Sequence, residues 1–322
     1  MSTFKRFLLI LLSATMLSAC AGTSVGQNPE VNAEKGVKIV TTFPPLYSFV
    51  SNIADDSAVI TNLVPPGASV HTWEPSASAL RQLSDADLLV MNGLELEHFM
   101  EDILESVQNP NLKIMVTSDV VKNELLESAP MVELDEDEVE HEGEEGNHLH
   151  EGFDPHIWLS PKLAIKQVEA IRDTLIAIDA EKTGVYSANA ATYIAELQNL
   201  NRKIQNRLSN VSKKDFIVFH DAYGYFLSDY RLSQYKKASI ESFPGKEPTA
   251  TYFSGLIDLI TDQKVLIIFT EPQFNPRVVQ NIQEETGAKS FEIDPIGLEL
   301  SKEAYVKNIN SITDAFVKAF TD

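Results

Sequence analysis

From residue 183 to about residue 211 the chain carries no proline, and no glycine beyond its first turn. Tyr193, Leu197, Leu200, Ile204 and Leu208 return there every three to four positions. That period describes one apolar stripe on a single long helix. At 1.5 Å per residue such a helix is about 40 Å long, enough to run along two domains rather than sit inside one. The sequence before and after it has a different rhythm, in which a short apolar run is followed by a helical pattern, again and again.

Ahead of the long helix, strands are expected over residues 37–42, 59–64, 88–91 and 113–116. Helices are expected over 46–53, 76–83 and 97–107, then from Pro161 to about Ile178. Pro44-Pro45 reads as the end of the first strand, and Ser84 as an N-cap of the turn that follows. Behind the long helix, strands are expected over 216–219, 237–240, 265–269 and 290–293. The helices there are expected over 223–230, 252–261, 276–286 and 304–320, with Gly287 stopping the third. Strands alternating with helices predict parallel sheets covered by helices. The fold class is α/β. Two (β/α) lobes are expected: residues 37–182, then a linking helix at 183–211, then 212–322. A chain of 322 residues accommodates two such cores.

The formal net charge of −21 argues against binding nucleic acid and suits a body that attracts cations. At the N-terminus, Lys5 and Arg6 precede an apolar run at residues 7–17, too short to span a bilayer comfortably. Leu17-Ser18-Ala19-Cys20 follows at once and resembles a lipobox. Residues 1–19 are therefore expected to be a signal peptide, Cys20 the lipidated residue, and 20–36 a tether between membrane and body. Cys20 is the single cysteine, so no intrachain disulfide can form. Residues 131–153 hold ten acidic residues and three histidines with little apolar content. That stretch cannot bury enough surface to fold alone and reads as an inserted loop of the first lobe.

Three of the seven histidines lie beside strand ends or turns. His71 follows the second strand and a Pro-Pro-Gly turn. His156 stands in Asp154-Pro155-His156-Ile157-Trp158, as the chain leaves the acidic stretch. His220 directly follows a strand, in Phe219-His220-Asp221. Ligands of open α/β sheets bind at the carboxyl ends of the strands, and a cleft between lobes would bring these residues together. Neutral imidazole suits zinc, which commonly takes four nitrogen or oxygen ligands. Asp294, after the last strand, is the expected fourth ligand, with Glu271 as its competitor. Glu74, Asp154 and Asp221 are candidates to accept a hydrogen bond from the ligand rings. Trp73 and Trp158 either wall the site or simply pack in the core. His98 reads as a surface residue.

These segments resemble the zinc- and manganese-specific solute-binding lipoproteins of bacterial ABC transporters, and the zinc-uptake branch in particular. The resemblance rests on Val64-Pro65-Pro66-Gly67-Ala68 through His71 to Pro75, and on Ser84-Asp85-Ala86-Asp87 through Gly93 to Glu97. It continues in the segment around His156, Phe219-His220-Asp221, Phe243-Pro244-Gly245, Glu271-Pro272-Gln273-Phe274 and Asp294-Pro295-Ile296-Gly297. It implies two lobes joined by a rigid helix, with metal-ligand roles for His71, His156 and His220. The fourth position varies in the family between a carboxylate, here Asp294, and water. It further implies Zn(II) as cargo, a membrane permease and its cytoplasmic ATPase as partners, and a location outside the cytoplasmic membrane, in the periplasm or on the cell surface. His141, His148 and His150 of the acidic stretch are expected to gather zinc in an auxiliary way, which favours zinc over manganese. The alternatives are a manganese or iron transport lipoprotein, an adhesin, and a zinc hydrolase. The chain has neither an H-E-x-x-H motif nor a G-x-S-x-G nucleophile turn, so no enzyme is expected.

Overall fold

The computed structural model describes residues 36–128, 152–241 and 248–322. The signal peptide, the Cys20 anchor, His141, His148, His150 and the Phe243-Pro244-Gly245 segment lie outside the described residues. Residues 36–322 form one unit by their contacts. It contains two four-stranded parallel sheets.

The first sheet is built from β1 (Val37–Thr41), β2 (Ala58–Asn62), β3 (Leu88–Met91) and β4 (Lys113–Val116), in the order β2-β1-β3-β4. The second is built from β5 (Phe216–Val218), β6 (Lys236–Ser239), β7 (Ile267–Thr270) and β8 (Lys289–Glu292), in the order β6-β5-β7-β8. Every ladder is parallel. The two orders are the same. In each lobe the chain steps to one side of its first strand, then crosses back to the other, and this reversal opens a crevice at the carboxyl ends of the strands.

Helices α1 (Pro44–Ala54), α2 (Ala77–Ser84) and α3 (Met100–Ser106) connect the first sheet. Pro44 and Pro45 do not merely end β1. They occupy the first turn of α1, where a missing N–H is no loss and the fixed φ is already helical. Ser84 is the last residue of α2, not a cap of the next turn, and its hydroxyl donates back to the Leu80 carbonyl at 2.9 Å. Helix α3 is shorter than the pattern over residues 97–107 predicts, because Glu97 is drawn into the interior by backbone donors described below.

Helix α4 (Pro161–Ile178) begins at Ser160, whose side chain caps the Leu163 N–H at 3.2 Å. The long helix is α5 (Thr183–Ser209). Its buried residues are Tyr186, Ala190, Tyr193, Leu197, Leu200, Ile204 and Leu208, the stripe the periodicity predicts. They join a core cluster that also takes in Ile39, Phe49 and Leu88 of the first lobe and Phe216, Phe269 and Phe316 of the second. Each fully buried aliphatic of that stripe contributes about 1.5–3 kcal/mol, so α5 acts as a shared spine.

The second lobe is completed by α6 (Gly224–Asp229), α7 (Ala250–Gln263), α8 (Pro276–Thr286) and α9 (Ala304–Thr321). Gly287 closes α8 at φ +72°, where a residue without Cβ is least strained. The lobes are stitched directly as well. Trp158 Nε1 donates to the Pro295 carbonyl at 2.7 Å, Tyr305 Oη to the Trp158 carbonyl at 2.7 Å, and Ser48 Oγ to the Lys302 carbonyl at 2.7 Å. Among the described residues, no helix is long and apolar enough to cross a membrane.

Candidate metal centre

Each of three loops delivers one imidazole. The first follows β2, where Val64 N–H still donates to the Thr42 carbonyl at 2.8 Å and prolongs the ladder. Gly67 then turns the chain at φ +77° and donates its N–H to the Gly297 carbonyl of the second lobe at 3.3 Å. A Cβ on Gly67 would stand 3.2 Å from Leu298 Cδ2, so glycine allows the lobes to meet here. Val70 is buried and anchors the loop, and His71, half-buried, points into the crevice.

The second imidazole is set from below. Glu97 is almost fully buried, and its carboxylate accepts from Thr42 Oγ1 at 2.7 Å, from Asn92 N–H at 2.7 Å and from Gly93 N–H at 2.9 Å. It ties the ends of β1 and β3 together. Burial pushes its pKa upward against the pull of those donors. Asn92 in turn donates to the Pro155 carbonyl at 2.9 Å, directly before His156. Gly93, Leu94 and Glu95 all have positive φ, and this left-handed turn brings Leu96 to the cavity wall. His156 then heads a short 3₁₀ turn, Ile157–Leu159.

The third imidazole follows β5. Phe219 N–H donates to the Phe269 carbonyl at 2.8 Å, and Phe219 stacks on Phe274 with ring centroids 4.4 Å apart. His220 comes next, buried at the strand mouth.

The three rings converge. His71, His156 and His220 each offer a nitrogen, and these nitrogens all lie within 4.8 Å of one another. His71 Nε2 and His156 Nε2 are 3.2 Å apart. The rings of His71 and His156 stand at 4.8 and 5.1 Å from that of His220 in the order His156, His71. A small cavity surrounds them, walled by Leu96, Trp158, Phe274 and Ile296 and reached by Glu271 and Gln273. His98 is half-buried on the first lobe and lies outside the cluster.

Two carboxylates back the rings. Asp154 Oδ1 accepts from His156 N–H at 2.9 Å and meets His156 Nδ1 at 2.7 Å. This pairing leaves His156 Nε2 facing the cavity. Glu271 Oε2 stands 3.6 Å from His220 Nδ1, so His220 Nε2 is the nitrogen left to face a ligand. Asp221, next to His220 in the chain, turns away to Lys236 at 2.5 Å, and Glu74 is exposed. Trp158 is buried against the site, its ring centroid 5.2 Å from that of His156, whereas Trp73 packs on Phe99 away from the cavity wall.

The electrostatics of this cluster suit a cation. Burial lowers the basicity of His220, but the Glu271 carboxylate, aided by the negative charges of Glu241 and Asp221, more than offsets this, and its pKa rises. Burial raises Glu271, and Asp294 adds to the effect against the opposing pull of His220. Burial pushes the Asp154 carboxyl up to about 7. Where such groups ligate or back a metal, its binding is coupled to proton release.

Asp294 stands outside the three-histidine cluster. Its Oδ1 accepts from Gln273 Nε2 at 2.8 Å and from Ile296 N–H at 2.9 Å, while its Oδ2 is buried without a hydrogen-bond partner. Glu271 Oε1 is also buried and unpartnered. Buried carboxylate oxygens of this kind are costly unless a cation or proton satisfies them. The support given by Glu97, Asn92 and Leu96 was not read from the sequence as part of the site. The available signal was an Asn-Gly turn at the end of a strand with a carboxylate four residues beyond it.

Twin parallel-sheet lobes with imidazoles from both meeting in the crevice define a bilobed α/β protein with a three-histidine cluster in its cleft. Residues 39–319 match the family model ZnuA, zinc-uptake complex component A, periplasmic, and the chain belongs to that family. It is similar to the zinc-binding lipoprotein AdcA of Streptococcus pneumoniae (strain ATCC BAA-255 / R6), at 34% identity over 286 residues, covering 88% of this chain and 55% of that protein. The chain thus spans about half the length of the AdcA relatives it matches. It is also similar to the high-affinity zinc uptake system protein ZnuA of Bacillus subtilis (strain 168), at 30% identity, covering 92% of this chain and 89% of that one. Among solved structures, the solute-binding protein FpvC of Pseudomonas aeruginosa in complex with Mn2+ superimposes with a TM-score of 0.77 at 27% identity, covering 89% of this chain and 99% of that one.

Proposed function

We propose that this protein captures Zn(II) outside the cytoplasmic membrane and delivers it to an ABC-type importer. The observation that carries this reading is the meeting of three imidazole nitrogens from both lobes within 4.8 Å in a buried, carboxylate-backed cavity. Zinc is cargo here. His71, His156 and His220 hold it, and Asp294 supplies the fourth ligand through its buried, unpartnered Oδ2. Glu271 stays behind His220 as its hydrogen-bond acceptor. An imidazole-rich donor set fits zinc better than manganese, which prefers more oxygen ligands. The AdcA and ZnuA relatives are named for zinc, whereas FpvC was solved with Mn2+.

The partners are a membrane permease and its ATPase, and Cys20 anchors the protein to the membrane by lipid. The protein acts by binding and release rather than by catalysis. The test is calorimetric titration of the metal-free full chain with zinc, beside a variant in which His71, His156 and His220 are all alanine. Tight binding in the native chain and its loss in the variant are expected, and unchanged affinity in the variant would overturn the reading. Displacement of bound manganese by equimolar zinc separates the two metals; retention of manganese would reassign the cargo.

A further inference from the structure

Tyr225 belongs to the second lobe, on α6, yet its side chain is buried in the first. It joins a cluster with Val121, Ile157 and Leu163, against which Leu125 and Leu126 pack. Its hydroxyl is placed with equal care. It donates to the Asp154 main-chain carbonyl at 2.7 Å and accepts from the Leu126 N–H at 3.1 Å. Asp154 N–H donates to the Leu126 carbonyl at 2.9 Å, which closes the arrangement. One phenol thus pins two chain segments that are far apart in sequence.

The preceding residue adds a second constraint on the same aspartate. A Cβ on Gly224 would stand 2.4 Å from Asp154 Oδ2. The backbone of the second lobe is therefore pressed against the carboxylate whose other oxygen meets His156 Nδ1. Two successive residues of one lobe hold both the carbonyl and the carboxylate of Asp154 in the other.

We propose that Tyr225, with Gly224, is a positioning residue for the metal centre, setting the ring of His156 through Asp154 so that the ligand is aligned only when the lobes are seated together. This rests on the zinc reading of the three histidines. A carboxylate behind a ligating histidine fixes the tautomer and orientation of the ring, and loss of such a partner weakens metal affinity about 10- to 100-fold. Tyr225 acts one bond further out, so its effect must pass through Asp154.

The experiment is a double-mutant cycle on the full chain, read as zinc affinity by competition with a chelator. Tyr225→Phe keeps the ring and removes only the hydroxyl. It is expected to weaken zinc binding by about 10-fold. Asp154→Ala is expected to weaken it at least as much, and Tyr225→Phe made in that background is expected to add less than 2-fold. Gly224→Ala is expected to follow the same pattern, weakening zinc in the native background and not in Asp154→Ala, where the crowded carboxylate is gone. A role confined to packing would leave each loss undiminished without Asp154, and that result, or an unchanged affinity in Tyr225→Phe, overturns the proposal. If the triple histidine variant loses zinc while Tyr225→Phe does not, the role of Tyr225 falls and the zinc reading stands.

Discussion

His71 Nε2 and His156 Nε2 face each other at 3.2 Å across the crevice, although 85 positions separate them in the chain. Two neutral rings at that distance share a proton between them, and two charged rings would repel. A divalent cation, on the zinc reading proposed above, would instead take a lone pair from each. The third nitrogen, on His220, comes from the opposite lobe, so an ion held by all three would also bridge the lobes.

Single replacement of His71, His156 or His220 by alanine is expected to weaken zinc binding by about 100-fold each. The figure follows from an apparent site energy of roughly 10–16 kcal/mol shared among four ligands, or about 3 kcal/mol apiece. Chelator competition checks it. A variant with native affinity would remove that ring from the ligand set.

The two unpartnered carboxylates are expected to differ. Asp294→Ala removes a ligand and should weaken zinc by about 100-fold. Glu271→Gln keeps a hydrogen-bond acceptor near His220 Nδ1 and should weaken it by about 10-fold or less. If the order is reversed, Glu271 is the fourth ligand and Asp294 the support.

Zinc affinity should fall as pH falls. The raised pKa of His220 means that its proton competes with zinc at a higher pH than an ordinary imidazole would. Asp154, pushed up to about 7 from 3.8, carries a proton in the folded metal-free chain over a window where the unfolded chain has lost it. Its contribution to stability is therefore lost as pH rises through that window. His220 has the same sign, its stabilisation being complete below the unfolded pKa and lost as pH rises through the raised one. The rise in Tm on adding zinc should accordingly be larger at about pH 8 than at about pH 5.5. Equal shifts at both would contradict the proton exchange.

Trp158→Phe should destabilise the protein by about 1–3 kcal/mol, because the Pro295 carbonyl loses its buried donor. Denaturant unfolding of the metal-free chain measures this. Trp158→Ala also leaves a cavity beside Phe43 and His156 and should cost about 3–5 kcal/mol. A neutral Trp158→Phe would mean that another donor or water serves the Pro295 carbonyl.

Much of the scaffold was legible in the residues. Strands at Leu88–Met91 and Lys113–Val116, and helices at Pro161–Ile178 and Pro276–Thr286, fall where local pattern places them. Each has its own punctuation, such as a proline in the first turn or a glycine at the stop. Pro44-Pro45 misled because the same pair that cannot extend a strand is well suited to open a helix. Helix α3 was overestimated because Glu97 answers to Asn92 and Gly93 in the turn just before it and to Thr42, 55 positions away, which no local window contains.

By itself, the sequence determined the alternation of strand and helix, the buried stripe of α5, and three histidines set at strand mouths or turns, since each depends on neighbours a few residues away. Only the tertiary structure decided that Asp154 rather than Glu74 or Asp221 backs a ring, that Glu271 stands behind His220, and that Tyr225 reaches from one lobe into the other. The places of Glu271 and Tyr225 depend on how two sheets are seated on a common helix, and distances between residues remote along the chain are set by packing, not by local propensity.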